Sequence, residues 1–407
     1  MITFKIFADL SAFMMVALML YHIAVFVISL LFRDKTPEAT KMHRFAIVIS
    51  ARNEREVLPH LIDSLYEQNY PRELFDIFVI ADNCTDDTGA VSAAKGAIVY
   101  TRSNLTKIGK GYALNWFFDR FIPEHGEKYD AICVFDADNL VDSGFLSAMN
   151  RRLCAGEVAV MGNRDSKNPG ENWVTGCSSL VFWTLSHMYF APRMRCGLSC
   201  LASGTGFVFL TELVKDGWHT TTLSEDTEFS MDIISKGMRV AFEPKALFFD
   251  EQPSDFRMSV RQRRRWGVGG YQNIPITFRK FADALPSVRP RLLVDSLLYI
   301  LAIPLAVFNF VCLTVYGLSI ALFPTGLWPV LIKSFLNIVI MSSVSVFLQG
   351  FLTLFLAKKM SLRNFKSLLF YPFFLATTSF IYVTCLFTPK LNWHPVAHKH
   401  AYGLRKM

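Results

Sequence analysis

Four apolar stretches at the two ends constrain this chain more than any other feature. They lie at residues 8–32, 292–323, 327–357 and 368–387. The first holds about 25 mostly apolar residues, enough for a helix to cross a hydrocarbon core of ~30 Å. The stretches also locate a shortage of charge, since 19 % of the residues are charged against about 25 % in a typical soluble domain. A disordered regulator, a secreted disulfide scaffold and a simple soluble enzyme are thereby excluded. The first stretch lacks the short apolar core and small-residue cleavage site of a signal peptide, so it reads as a retained anchor. Arg33, Lys35, Lys41 and Arg44 follow it and assign the next residues to the cytoplasm. Lys358, Lys359, Arg363 and Lys366 place the loop before the last stretch on the same side. Three C-terminal crossings would send the tail outside, although Lys390, Lys399, Arg405 and Lys406 favour the inside. Either the last stretch, interrupted by Pro372, lies in the interface, or the tail is exported against its charge. The sequence leaves both open.

The units implied are an anchor at 1–35, a cytoplasmic domain at 44–251, interface helices at 252–290, a membrane region at 291–388 and a basic tail at 389–407. In the cytoplasmic part, β-rich runs at 45–50, 76–81, 131–135 and 158–162 alternate with helix-length segments. That alternation predicts an α/β fold with a largely parallel sheet and helices on both faces. Ligands bind such sheets at the carboxyl ends of the strands. The eight cysteines lie mostly on the cytoplasmic side, where thiols stay reduced. Cys196 and Cys200 lack a second pair at zinc-finger spacing.

The chemistry-bearing residues gather at those strand ends. The apolar run to Phe135 ends in Asp136-Ala137-Asp138-Asn139. Two carboxylates in that spacing can hold Mg²⁺ or Mn²⁺ together with a diphosphate, although Asp and Asn are also ordinary turn residues. Two other strands run into Ala51-Arg52-Asn53-Glu54 and Asp82-Asn83-Cys84-Thr85-Asp86-Asp87. Three strands then present polar groups at one sheet edge, which suits a nucleotide. Lys107-Ile108-Gly109-Lys110-Gly111 lacks the spacing of a phosphate-binding P-loop, and no G-x-G-x-x-G follows the first strand. Ser224-Glu225-Asp226 opens a predicted helix reaching Ser235; a carboxylate there is either a cap or a general base.

The +8 net charge of the chain is also localised. Between 257 and 291 stand nine Lys/Arg and one Asp, so this stretch carries the whole excess. It contains Gln262-Arg263-Arg264-Arg265-Trp266, where an arginine fork can meet phosphate oxygens and a membrane-surface helix is the alternative.

Taken in order, A-R-N-E, D-N-C-T-D-D, G-K-G-Y-A-L-N, D-A-D, S-G-T-G, S-E-D and Q-R-R-R-W resemble the membrane-embedded family 2 glycosyltransferases, which include cellulose, hyaluronan and chitin-type synthases. The resemblance spans about 44–271 and implies a GT-A-type, Rossmann-like catalytic domain. It implies that Glu54 and Asp82 hold uridine, that Lys110 lies near the nucleotide, and that Asp136 and Asp138 hold the diphosphate and its metal. Ser203, Gly204 and Thr205 fall where the acceptor's terminal sugar sits, and Asp226 matches the general base, with Ser224 replacing the usual Thr. Gln262, Arg265 and Trp266 match Q-x-x-R-W, in which Arg steadies the leaving diphosphate and Trp contacts the acceptor. Arg257, Arg261, Arg279 and Lys280 are left for anionic lipid headgroups. The tail around Trp393, His398 and Lys399 resembles a gating segment, with Lys399-His400 in place of Thr-Arg.

The expected activity is an inverting transfer from a UDP-sugar, with glucose favoured over N-acetylglucosamine, to a growing β-linked polysaccharide exported through the plasma membrane. The expected partners are the donor, the polysaccharide and membrane lipids, possible accessory export subunits, and no nucleic acid. A single-transfer enzyme acting on a lipid is the alternative. A transporter or scaffold is the other, for which Asp295, Asn309, Lys333 and Gln349 are the few polar groups within the stretches.

Overall fold

The first apolar stretch is one helix, α1 (Ile2–Ser29). The structure is a computed structural model and describes residues 2–33, 38–322, 328–388 and 403–404. After α1 the chain forms β1 (Phe45–Ala51), α2 (Leu58–Tyr66), β2 (Phe75–Asp82), α3 (Thr88–Ala94), β3 (Ile98–Arg102), α4 (Lys110–His125) and β4 (Ala131–Asp136). There follow β5 (Leu140–Val141), α5 (Phe145–Cys154), β6 (Ala159–Ser166), α6 (Trp173–Thr184), a π-helical turn at Leu185–Phe190, and α7 (Ala191–Arg195). β7 (Phe207–Leu210), α8 (Glu225–Ser235) and β8 (Val240–Asp250) complete the α/β part. Four long helices close the chain: α9 (Phe256–Ala284), α10 (Pro290–Leu322), α11 (Trp328–Leu356) and α12 (Leu362–Phe387).

The eight strands form one sheet in the order β3-β2-β1-β4-β7-β6-β8-β5. The expected parallel pairing holds for β3, β2, β1 and β4. Beyond them the sheet is mixed: β7 runs antiparallel to β4 and β6, and β5 antiparallel to β8. β7 follows the S-G-T-G turn, with Gly204 and Gly206 at φ of 83° and 68°. L-residues with a Cβ rarely adopt these values. β1 and β4 are buried on both faces, as a sheet covered on both sides requires. On one side Phe117, Phe118 and Phe121 of α4 are fully buried and pack among Phe78, Tyr129 and Trp218. Each such side chain contributes about 1.5–3 kcal/mol.

α1, α10, α11 and α12 are each long and apolar enough to cross a membrane. α12 begins six residues before the expected stretch and continues through Pro372. The tail residues Trp393, His398 and Lys399 lie outside the described residues. Lys359, just before α12, forms a 2.6 Å ion pair with Asp165 of β6, which holds that loop against the sheet. Asp295 and Asn309 of α10 are used internally. Asp295 accepts from Arg193 at 3.0 and 3.1 Å and from Tyr21 at 2.8 Å, while Ser11 donates to Asn309 at 3.1 Å.

Most of the basic stretch lies on the single helix α9, with Arg289 just before α10 and Arg291 within it; α9 is capped by Asp255, whose carboxylate accepts from the Met258 amide at 2.9 Å. Arg263 is buried in it and donates to the Phe374 carbonyl, Thr377 and Thr378 of α12 at 3.2, 2.9 and 2.8 Å. Its guanidinium also sits 4.1 Å from the Phe374 ring centre. Arg257, Arg261 and Arg279 are exposed. Lys280 departs from its expected lipid contact: it reaches inward to Asp232 of α8 at 2.6 Å. Packing of α9 on α8 turns this one cation away from the headgroups.

Candidate active site

Register decides which side chains meet. Ala51 stands beside Ala81, and Ser50 beside both Ile80 and Asp136, so β1, β2 and β4 end together. The turns after β1 and β2 pass through Asn53 and Asn83, at φ of 58° and 53°, a conformation Asn tolerates better than most residues. Asn53 latches the two turns by accepting from the Thr85 amide at 2.8 Å. Glu54, Asp82, Lys110, Asp136 and Asp138 thereby line one cavity, as the sequence led us to expect.

Opposite charges balance this donor side. Buried Arg102 forms an ion pair with buried Asp82, and Asn83 donates to Asp82 at 3.0 Å. Burial still pushes the Asp82 carboxyl above its ordinary value, with Arg102 opposing. Burial pushes Asp136 upward too, but the adjoining Lys110 ammonium, with Arg164 and Arg265, outweighs it and holds the carboxyl low. Lys110 pairs with Asp136 and donates to the Gly204 carbonyl at 2.7 Å, joining the D-x-D turn to the S-G-T-G turn.

Asp226 lies next to the same turn. A methyl built on Gly204 would stand 3.9 Å from Asp226 Oδ2, so this turn lies directly against the carboxylate. Burial raises Asp226, with Lys110, Arg265 and Arg164 opposing; burial and the Asp226 charge raise Glu225. α9 fixes the turn before α8. Gln272 accepts from the Leu223 amide at 3.0 Å, and Asn273 donates to the Ser224 carbonyl at 3.2 Å. A Cβ on Gly269 would come within 2.8 Å of the Ser224 amide nitrogen, so only glycine allows this approach. Gln262, Arg265 and Trp266, at positions i, i+3 and i+4 of α9, share one face and line the cavity. Trp266 meets Phe182 edge to face at 5.8 Å.

Thr205 differs from its expected role. It is fully buried; its hydroxyl accepts from the Asp136 amide at 2.8 Å and donates to Asn139. It positions the D-x-D turn, while Ser203 and Gly204 line the cavity. Sequence reasoning also missed Arg164 and Lys167. Arg164 donates to the Ser203 carbonyl at 3.2 Å, pairs with Asp250 at 3.1 Å and stacks 4.1 Å over Phe182. Burial lowers the Lys167 ammonium, with Asp138, Glu251, Asp250 and Glu54 opposing. The available signal was Arg164-Asp165-Ser166-Lys167, a polar end on an otherwise apolar strand.

From the carboxylates the cavity, about 2310 Å³ in all, continues between α1, α10, α11 and α12. A family model described as "Glycosyltransferase like family 2" matches residues 43–269, more than half of the chain. The chain belongs to glycosyltransferase family 2. It is 27 % identical to hyaluronan synthase 1 of Xenopus tropicalis over 35 % of this chain and 26 % of that one. It is also 27 % identical to a beta-monoglucosyldiacylglycerol synthase of Nostoc, over 56 % and 49 %. This family 2 chain therefore spans about half or less of each of these two relatives. A mannosyltransferase from Pyrobaculum calidifontis, solved with GDP-Man and Mn²⁺, shares the fold at a TM-score of 0.60 and 16 % identity, covering 95 % of this chain and 100 % of its own. The α/β part is accordingly a GT-A-type domain, and the protein is a glycosyltransferase with four helices fit to cross a membrane.

Proposed function

We propose that this glycosyltransferase is an inverting hexosyltransferase, using a UDP-sugar on the cytoplasmic side of the plasma membrane. Asp226 takes the proton from an acceptor hydroxyl as that oxygen bonds to the anomeric carbon. The bond from that carbon to the UDP oxygen breaks on the opposite face, and UDP departs with its electron pair. An α-linked donor then yields a β-linked product. The chain of contacts from Asp136 to Lys110, from Lys110 to the Gly204 carbonyl and from Gly204 to Asp226, all on one cavity, supports this reading, because it brings the base and the diphosphate edge into one site. Asp226, raised by burial, is a stronger base than an ordinary carboxylate. Arg265 and Lys110 supply positive charge where the diphosphate gains negative charge, and such preorganised charge is a large part of catalysis.

Asp136 and Asp138 fit a divalent cation by their chemistry: two carboxylates on the cavity wall, all oxygen, leaving coordination positions for phosphate oxygens. When bound, Mg²⁺ or Mn²⁺ would neutralise diphosphate charge; the Mn²⁺ of the Pyrobaculum enzyme supports this. Glucose is the donor sugar favoured, with N-acetylglucosamine the alternative. The test is UDP release from UDP-glucose, UDP-N-acetylglucosamine and GDP-mannose in detergent, with and without Mn²⁺. Asp226→Asn is expected to abolish release while UDP binding persists. Equal loss of both would overturn the base assignment.

A further inference from the structure

The two oxygens of the Asp82 carboxylate stand in unlike surroundings. Arg102 Nη1 and Asn83 Nδ2 both donate to Oδ1, the second at 3.0 Å. A carboxylate oxygen offers two lone pairs, so Oδ1 is saturated. Among the described residues no hydrogen bond falls on Oδ2. The backbone sets this arrangement. β2 and β3 run parallel with Asp82 beside Arg102, and the Asn83 amide donates to the Arg102 carbonyl at 2.7 Å. Asp82 and Arg102 are both buried, while Asp82 also lines the cavity. A guanidinium only donates, so the atom it holds must be an acceptor, and the other oxygen is left for a ligand.

The same two side chains carry the loop that follows β3. Arg102 Nη2 donates to the Lys107 carbonyl at 2.6 Å. Asn83 donates to the Asn104 carbonyl at 3.2 Å and accepts from the Asn104 amide at 2.7 Å. The Asn104 side chain in turn accepts from the amides of Thr106 and Lys107 at 3.0 and 2.8 Å. Leu105, Thr106 and Ile108 of this loop line the cavity with Asp82. Leu105 is 77 % exposed and offers an apolar face there. The orientation of the carboxylate and the course of the loop are thus fixed as one unit.

A planar base placed at this unit meets one acceptor. Uracil presents a single imide N–H between two carbonyl oxygens. Guanine presents a ring N–H beside an amino N–H, a pair that matches both oxygens of an unencumbered carboxylate. Here the second of that pair would face Oδ1, whose lone pairs Arg102 and Asn83 already hold. An N–H taken out of water without an acceptor loses binding energy, and two donors brought face to face reject the wrong ligand. Cytosine has a lone pair where uracil has its N–H.

We propose that Arg102 and Asn83 determine the base specificity of the donor site: by occupying Oδ1 of Asp82 they leave one acceptor, which fits the single imide N–H of uracil and rejects the paired N–H donors of guanine. Both act through Asp82 and are positioning residues. The proposal rests on the UDP-sugar reading above and adds how this chain separates uridine from guanosine.

The experiment measures binding of UDP, GDP and CDP by calorimetry, on the full chain in detergent with Mn²⁺. UDP is expected to bind about tenfold or more tighter than GDP or CDP. Asn83→Gly keeps a residue suited to the φ of 53° and removes one donor from Oδ1; Arg102→Met removes the other. Each is expected to narrow the ratio of UDP to GDP affinity about fivefold. Asp82→Asn changes the sign of the preference. Arg102 can hold only the amide oxygen, which turns the amide NH₂ to the ligand, and CDP should then bind more tightly than UDP. If Arg102→Met does not fold, Asn83→Gly and Asp82→Asn still decide the matter. Equal weakening of UDP and GDP by Asn83→Gly would make the contact a structural support alone and overturn the proposal. So would GDP binding as tightly as UDP in the unaltered protein, or an Asp82→Asn variant that still prefers UDP. Binding of none of the three would overturn the nucleotide-donor reading itself, and this proposal with it.

Discussion

Asp136 and Asp226 line the same cavity, and their surroundings shift them in opposite directions. Asp136 touches Lys110, and the neighbouring cations hold it ionised against burial. Asp226 follows Glu225, a second carboxylate in the first turn of α8, and burial carries it upward despite the opposing cations Lys110, Arg265 and Arg164. On the proposed reading, one carboxylate stays charged beside a diphosphate and the other accepts a proton. Paired titratable groups with opposed shifts are a common sign of divided acid–base labour.

The largest test of this division is Asp226→Asn, expected to lower kcat roughly 10²–10⁴-fold with UDP affinity retained by calorimetry. Next is Lys110→Met. It releases the Asp136 carboxylate and the Gly204 carbonyl, and donor KM should rise about tenfold, the equivalent of ~1.4 kcal/mol. A change confined to kcat would place Lys110 at the departing phosphate alone. Gly204→Ala comes third: at φ of 83° a Cβ costs about 1–2 kcal/mol. A fall of about tenfold in kcat/KM is expected, with donor binding little changed. The smallest effect concerns pH. The base works only when deprotonated, so the rate falls as pH drops through its raised pKa. Glu225→Gln removes a neighbouring negative charge, which lowers the Asp226 pKa and moves the acid limb of kcat/KM to lower pH by a fraction of a unit. A limb that stays in place would break the contrast between the two carboxylates.

The donor wall was far more legible in the sequence than the acceptor wall. Glu54, Asp82 and Asp136 each end an apolar run, and parallel strands in register bring such ends together without further information. The mixed half of the sheet was not visible, because β7 has four residues and its direction depends on the positive φ values of Gly204 and Gly206. Thr205 could be placed in the right turn, but its inward orientation depends on hydrogen bonds from residues 66 and 69 positions away in the chain. Arg164 and Lys167 sit at the end of a buried strand, and chain position alone does not separate such residues from an ordinary polar terminus. Lys280 shows the same limit, since one turn of rotation on α9 decides between a lipid headgroup and Asp232.

One consequence of α9 concerns separability. The same helix places Arg265 and Trp266 on the cavity, seats the Ser224 turn through Gln272, Gly269 and Asn273, and is bolted to α12 through Arg263. A fragment ending at Glu251 would keep the sheet and the donor edge and lose the surface on which the catalytic turn rests. The α/β part and the long helices thus share one structural seam at α9, and a cut between them falls through the candidate site.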